Sequence, residues 1–585
     1  MVKKHIKKNF WRYFFLILSI FVLGSISYNY YYYQKSKTLA LDVYKKLDVV
    51  LKDLNSSFDT FEKDTNQTIF LSGLNKATQE SQDLIRSNNA IMNNFFVKLS
   101  RVNGILFPSQ VGDILLWHSN FNDKLVSLKE NFNYFLNQGM RLSVFDQENT
   151  SKDSLSKIKT SLYEMNNLLG EDKDLEGKFS NIVELKKSIR DFNVFIDSFD
   201  FFLGNQKEVK HLVIFQSPAN LAVTGGKWVA YGILTCKNSQ CQFENTDLVS
   251  NLNIAMIDKL IPPEELKFAN SVWVFQNFNW FYDFKISAQI ALKYYPETTK
   301  FNSLIAINSN ELIDIKTKKD LDLFVLNLNT KLNSSGFANW IFDGLNSKDI
   351  QAYSTNSSIQ TFLTDFGWSG SLPKVKEGMD YLGLARANTG REDSDLNIKE
   401  TVNLKVSIDD KGEINNSLNF VLENNNSSKV KTKNFSYLRA YIPANSEIVT
   451  IKTASTRGYA PKPSIDYFKQ GFVNESNVES LNMKTVYMDK QDAKVFTEGG
   501  FNGIGSWIIT SSGSKKTTSI SYKLPFKIDL ENKRQYSIFL EKQSGTNRVY
   551  NIEISYPDKN DPTKISSITK SLDLNRNTIL SFDLN

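Results

Sequence analysis

The stretch best suited to chemistry runs His211-Leu212-Val213-Ile214-Phe215-Gln216-Ser217-Pro218-Ala219-Asn220-Leu221-Ala222-Val223-Thr224-Gly225-Gly226. An apolar strand leads into a turn with paired glycines, where successive backbone N–H groups can cradle an anion. Lys227 follows at once, and Arg386 and Arg391 are the further cations on which such a site would draw. The competing reading is a tight β-turn joining two core strands, since a lone Thr-Gly-Gly has little specificity. Asp247 and Asp283, like Asp380, carry hard oxygens fit for a metal, but their spacing makes no metal-binding pattern. Each reads first as a cap, a turn residue or a surface charge. The only histidines are His5, His118 and His211, which leaves no His-rich zinc site and weakens any Ser-His-Asp hydrolase. No residue is assigned a catalytic role, and no metal or other cofactor is expected.

Cys236 and Cys241 are the only cysteines, and they flank the polar turn Lys237-Asn238-Ser239-Gln240 between β-rich runs. A cross-strand disulfide is geometrically possible there. A metal pair would lack the second pair that completes a shell, and two unpaired buried thiols are a further alternative.

The elements that must hold these residues begin with a membrane address. Lys3, Lys4, His5, Lys7, Lys8 and Arg12 precede a charge-free, largely apolar run, and Trp11 and Tyr30 to Tyr33 supply aromatic belts. About 20 mostly apolar residues suffice to cross the hydrocarbon core. The expectation is a basic cytoplasmic tail at 1–12 and an uncleaved transmembrane signal anchor from Tyr13 to Tyr33, with the bulk of the chain outside the cytoplasmic membrane. A cleaved signal peptide fits less well, because no A-x-A site is present and bulky tyrosines follow. Five charges of the net +7 belong to Lys3, Lys4, Lys7, Lys8 and Arg12. The external part is therefore close to neutral, and nucleic acid is not an expected partner.

Residues 35–205 read as a helical bundle or coiled-coil stalk. Tyr44, Leu47, Leu51, Leu54, Phe58 and Phe61 recur at spacings of three and four. So do Phe121, Leu125, Leu128 and Phe132, then Leu155, Ile158, Leu162, Met165 and Leu169, then Ile182, Leu185, Ile189, Phe192 and Ile196. A weaker helical stretch is expected around 84–99, and His118 takes a packed seam position. Residues 207–397 alternate strand and helix signals, predicting a central α/β domain. From 398 to 585 period-two segments such as Val402, Leu404, Val406 and Ile408 predict a C-terminal β-sandwich of one or two units.

Several blocks together resemble a bacterial family of membrane-anchored proteins, the domain-of-unknown-function family 4012. Its hallmark runs strand, Gln-Asn, Ala-Glu-Leu-Arg-Pro-Thr-Gly-Gly, strand, of which this chain keeps Gln216, Ala219, Leu221, Thr224, Gly225 and Gly226. Asn279-Trp280, Asp283-Phe284 and Ser287-Ala288 match a second block, and Phe366-Gly367-Trp368-Ser369-Gly370 and Ala387-Asn388-Thr389-Gly390 match others. Tyr437-Leu438-Arg439-Ala440-Tyr441-Ile442-Pro443 and Lys542-Gln543-Ser544-Gly545 follow in the same order. The resemblance covers about residues 204 to 550 and implies an envelope protein without an established activity. Asn220 and Ala222 replace the hallmark's Glu and Arg, the two charges best suited to phosphate or metal.

Two functions follow as expectations. One is a scaffold or interaction protein of the cell envelope, touching the membrane through Tyr13 to Tyr33 and envelope glycopolymer or other envelope proteins beyond it. The other is a phosphotransferase, degenerate or active, or a binder of lipid-linked glycopolymers, because the layout looks similar to LytR-CpsA-Psr proteins. Magnesium belongs only to the second.

Overall fold

The computed structural model describes residues 42–61, 67–92, 109–139, 150–170, 181–267, 270–332, 336–390, 393–426, 433–455 and 465–585, with a few isolated positions besides. The expected anchor lies outside the described residues apart from Ser19, Leu23 and Ser27. Among the described residues no helix is long and apolar enough to cross a membrane. A helical N-terminal region is followed by a mixed α/β sheet and then by β-rich sheets. The chain divides into two units, one of helices up to Phe199 and one of Asp200–Asn585.

In the helical unit α1 spans residues 42–61, α2 Gln67–Met92, α3 Ser109–Tyr134, α4 Thr150–Gly170 and α5 Ile182–Phe202. The three-and-four rhythm turns one stripe of each helix inward, and Leu47, Leu51, Leu54, Leu125, Leu128, Ile158 and Leu162 are all fully buried. These stripes close on a phenylalanine centre. Phe70 lies 4.8 Å from Phe61, 5.3 Å from Phe132 and 5.0 Å from Phe192, in tilted and edge-on geometries that favour aromatic pairs. α2 starts at Gln67, well before the weak signal at 84–99. Its buried face is Phe70, Leu74, Ala77, Thr78, Ser81 and Leu84, and three small or hydroxyl side chains in the middle blur the apolar period. His118 is buried in the seam with Nε2 2.9 Å from Ser81 Oγ, and burial lowers its pKa to about 4.

The second unit opens with a five-stranded sheet in the order β3-β2-β1-β4-β5. Its strands are β1 (Val209–Ala222), β2 (Gly225–Lys237), β3 (Gln240–Leu248), β4 (Ser303–Asn308) and β5 (Ile350–Ser354). β1 and β4 run parallel, and the other neighbours are antiparallel. Helices α6 (Val249–Ala255), α7 (Phe284–Lys293), α8 (Lys318–Leu332), α9 (Phe337–Asn346) and α10 (Ser357–Asp365) fill the connections.

The β-rich part continues through β6 (Asp380–Asn388), β7 (Ile398–Ile408), β8 (Glu413–Asn424), β9 (Lys433–Ile442), β10 (Glu447–Lys452) and β11 (Thr485–Met488). It ends with β12 (Ala493–Glu498), β13 (Phe501–Ser511), β14 (Lys515–Lys527), β15 (Gln535–Glu541), β16 (Arg548–Pro557), β17 (Ile565–Leu574) and β18 (Thr578–Asp583). They form a seven-stranded sheet, β11-β12-β13-β9-β6-β15-β18, and a six-stranded sheet, β10-β14-β8-β7-β16-β17. Leu384, Leu404, Phe420, Leu438, Ile508 and Ile552 belong to one core shared by both sheets. The other face of the seven-stranded sheet shows Tyr381, Tyr437, Tyr441 and Trp507, and these share a second core with Trp228, Trp280, Tyr282 and Phe284. A strand covered on both faces loses its polar alternation, and every residue of β6 is buried. That strand lies inside the span 207–397 read as α/β, yet it sits in the interior of the seven-stranded sheet, between β9 and β15.

Candidate functional site

The Thr-Gly-Gly segment is the tip of the β1–β2 hairpin, with Val223 and Thr224 buried between the strands. The Gly226 N–H donates to Asn308 Oδ1 at 2.9 Å, and Asn279 Nδ2 donates to the Gly226 carbonyl at 2.9 Å. Gly225 has φ 137°, open to glycine at little cost, and a Cβ on Gly226 would stand 2.1 Å from the Ser217 carbonyl oxygen. These glycines serve the close approach of the two strands beside the irregularity between Ser217 and Leu221. Of the N–H groups proposed to cradle an anion, that of Gly226 is occupied.

Arg386, offered above as an anion ligand, is buried in a cluster of protein charges. Its Nε donates to Glu400 Oε1 at 2.8 Å, and Nη1 donates to Ser436 Oγ at 2.8 Å and to Asp395. Arg548 donates to the other oxygen of Glu400. Gln543 ties this cluster to the hairpin: its Nε2 donates to the carbonyls of Ala222 and Arg386, each at 2.8 Å, and its Oε1 accepts the Arg386 N–H at 2.9 Å. Asp395 Oδ2 accepts the Leu221 N–H at 2.8 Å. Burial alone would push the Glu400 carboxyl up, but the charges of Arg548 and Arg386 and their hydrogen bonds bring it down to about 2. Glu400 and Asp395 were missed in the sequence. The available signal was the inward face of β7, where Glu400 precedes Val402 and Leu404 at period two.

The remaining predicted positions do not join this cluster. Lys227 is half-buried and faces Ser217 across the hairpin, and Arg391 lies outside the described residues. Asp247 accepts from the Leu248 N–H and from Asn251 Nδ2, both at 2.8 Å, at the start of α6. Asp283 caps α7 by accepting the Lys285 N–H at 2.9 Å; burial raises its pKa to about 6, with the Lys285 N–H opposing. His211 on β1 is a strut to β4 and to the end of α5, with Nδ1 2.6 Å from Ser303 Oγ and Nε2 2.9 Å from the Phe202 carbonyl. Burial lowers its pKa to about 4, the Phe202 carbonyl opposing. Among the described residues no group of three or more His, Cys, Asp or Glu side chains is placed to hold a metal ion.

Cys236 and Cys241 are opposite one another in the β2–β3 register, and the structure bonds them, with Cα atoms 4.1 Å apart. Asn238 and Ser239 between them both have positive φ, as a two-residue hairpin turn demands. A thiol-alkylation assay is expected to label neither cysteine before reduction and both after it. Replacing both by serine should lower stability by about 2 kcal/mol, the loop-closure value for so short a ring.

The other blocks also pack on one another. The Arg439 guanidinium lies 4.3 Å from the Trp280 ring centre and donates to the Trp280 carbonyl at 2.9 Å. Tyr282 stacks on Tyr441 at 4.1 Å, and both bond Glu498, through the Tyr282 N–H at 3.1 Å and the Tyr441 hydroxyl at 2.6 Å. The cavity beside Arg439 is about 20 Å³, room for a water and not for an organic ligand.

A larger cleft of about 300 Å³ opens at the carboxyl end of β4, lined by Asn308, Ser309, Glu311, Lys331, Trp340, Asp343 and Asp349 among others. Ligands of open α/β sheets favour this edge, outside the ends of parallel strands. Two blocks singled out in the sequence buttress it. Gly226 holds Asn308, and Lys542 in the Lys-Gln-Ser-Gly loop donates to the Ser347 carbonyl at 2.6 Å and lies 3.7 Å from Asp349.

No protein-family model matches the chain, and a search of curated proteins finds no match to it.

Proposed function

We propose that the chain is a single-pass protein of the cell envelope, anchored through residues 13–33, with its second unit held outside the cytoplasmic membrane as a scaffold. In this reading the helical unit is a stalk of coiled-coil-like packing, and the two C-terminal sheets form a β-sandwich beneath the α/β layer. The chain would be a divergent relative of family 4012, whose motif blocks serve as joints of the framework. One observation carries the proposal: Arg386 and the Thr-Gly-Gly hairpin are tied together through Gln543 and Asp395, and Glu400 takes up the Arg386 guanidinium. Groups so committed lend rigidity and leave little capacity for a phosphorylated substrate. The Cys236–Cys241 bond fits an oxidising compartment.

External protease added to intact spheroplasts is expected to remove everything beyond residue 33, and protection of the β-rich part would sink the topology. The scaffold reading itself is tested with polyprenyl pyrophosphate and the detergent-solubilised full chain. No saturable binding is expected, and binding abolished by Arg386→Lys would replace the scaffold with the transferase reading.

A further inference from the structure

We infer that the cleft at the carboxyl end of β4 is a binding site for a neutral sugar unit of a glycan. Among the described residues the lining carries three carboxylates, Glu311, Asp343 and Asp349, against Lys331 in the wall and Lys542 behind it, so a phosphate or other anion meets net repulsion. A cationic ligand is disfavoured for a different reason. Glu311 is paired with Lys331 at 2.6 Å, and Asp349 accepts Ser347 Oγ at 2.8 Å with Lys542 nearby at 3.7 Å. Only Asp343, exposed at the rim, has no side-chain partner among the described residues. Carboxylates already neutralised keep lone pairs free, and lone pairs of planar groups are what ring hydroxyls need.

The lining also carries a flat apolar surface. Trp340 is part-exposed into the cleft and is supported from within α9 by Phe337, whose ring lies 5.8 Å away at 27°. One face of a pyranose presents a row of C–H groups that stacks on such a ring, while its edge hydroxyls reach acceptors at the sides. An indole platform, an amide at Asn308 and a carboxylate at Asp343, in about 300 Å³, match one ring of an oligosaccharide. The wall is built before the ligand arrives. Gly226 fixes the Asn308 side chain, and the Asn308 N–H donates to the Asp349 carbonyl at 2.7 Å. The Thr-Gly-Gly hairpin thus acts as a positioning element for the cleft. The inference does not depend on the anchor, so failure of the topology test leaves it standing.

The test is titration calorimetry of the detergent-solubilised full chain with chitotriose, maltotriose, cellotriose and mannotriose, beside inorganic pyrophosphate and spermidine. At least one neutral trisaccharide should bind, and both Trp340→Ala and Asp343→Ala should weaken it by about tenfold or more. Asp343 is exposed, so its replacement leaves folding unaffected and keeps the test valid if the Trp340 variant misfolds. No binding by any trisaccharide up to about 10 mM overturns the inference. So does trisaccharide binding indifferent to Asp343→Ala. Pyrophosphate or spermidine binding that competes for Trp340, without a sugar, overturns it in favour of a charged ligand.

Discussion

Replacing Glu400 with alanine is expected to lower the unfolding free energy of the Asp200–Asn585 unit by about 3–5 kcal/mol, the range for breaking a buried ion pair from one side. The variant leaves Arg386 and Arg548, both 2% exposed, without the carboxylate that each bonds. Asp395 still serves Arg386, but among the described residues Arg548 keeps as hydrogen-bond acceptors the Leu384 carbonyl and Gln543 Oε1, both uncharged. Urea titration followed by tryptophan fluorescence reads this directly, since six of the chain's eight tryptophans lie beyond residue 200. Glu400→Gln keeps an acceptor and removes the charge, so its loss should fall between wild type and alanine. A loss under about 1 kcal/mol for Glu400→Ala would show that the cluster is solvated and not a locked joint.

The same carboxylate imposes a pH signature. Glu400 falls from an ordinary value near 4.5 to about 2 on folding, so the unfolded chain binds its proton first on acidification. Its contribution is complete above pH 4.5 and disappears as the pH drops toward 2. Asp380 has the opposite sign. Burial raises it to about 6, against hydrogen bonds from Tyr536, Asn416 and the Tyr381 N–H, so its contribution is present in acid and is lost as pH rises through 6. Wild type should therefore lose stability below pH 4.5 more steeply than Glu400→Ala, with the two curves converging near pH 2.

What could be read along the chain divides by the range of the interaction. The helical seams were legible, because Leu47, Leu51 and Leu54 report their burial through spacing alone. α2 was not, since Ala77, Thr78 and Ser81 are buried without being apolar enough to mark a stripe. The hairpin of β1 and β2 was legible from its glycines, and so was the opportunity for a bond between Cys236 and Cys241. The fate of Arg386 was hidden. Its partners Asp395 and Glu400 are near in sequence, but the Gln543 and Arg548 that complete the cluster arrive only through the pairing of β6 with β15 and of β7 with β16. Sheet order is a property of the whole chain, and local pattern carries no record of it. The cleft escaped for the same reason: Asn308, Trp340 and Asp349 come from separate connections, and none stands out alone.

Gly226→Ala is expected to disrupt the chain's second unit through one added methyl group. The new Cβ would lie 2.1 Å from the Ser217 oxygen and 2.2 Å from its carbonyl carbon, and 2.7 Å from the Pro218 nitrogen. All three are backbone atoms of the facing strand, so no side chain can rotate away and the hairpin itself must open. Overpacking of this kind costs about 1–3 kcal/mol, and the upper end applies where backbone must move. The damage should also spread along a defined route. Opening the tip withdraws the Gly226 N–H from Asn308 and moves the Ala222 carbonyl away from Gln543. Hydrogen exchange should then accelerate at Leu221 and Gly226 first, and the Asn308 wall of the cleft should loosen before the β-rich sheets do. Gly225→Ala is the comparison: the nearest atoms to its Cβ belong to the Gln216 side chain, the closest at 2.7 Å, so its cost comes from φ 137° and a side chain that can move, not from facing backbone. A stable Gly226→Ala protein with unchanged exchange would refute the pinned hairpin. Unchanged stability combined with lost pyrophosphate affinity would return the turn to the role of an anion cradle.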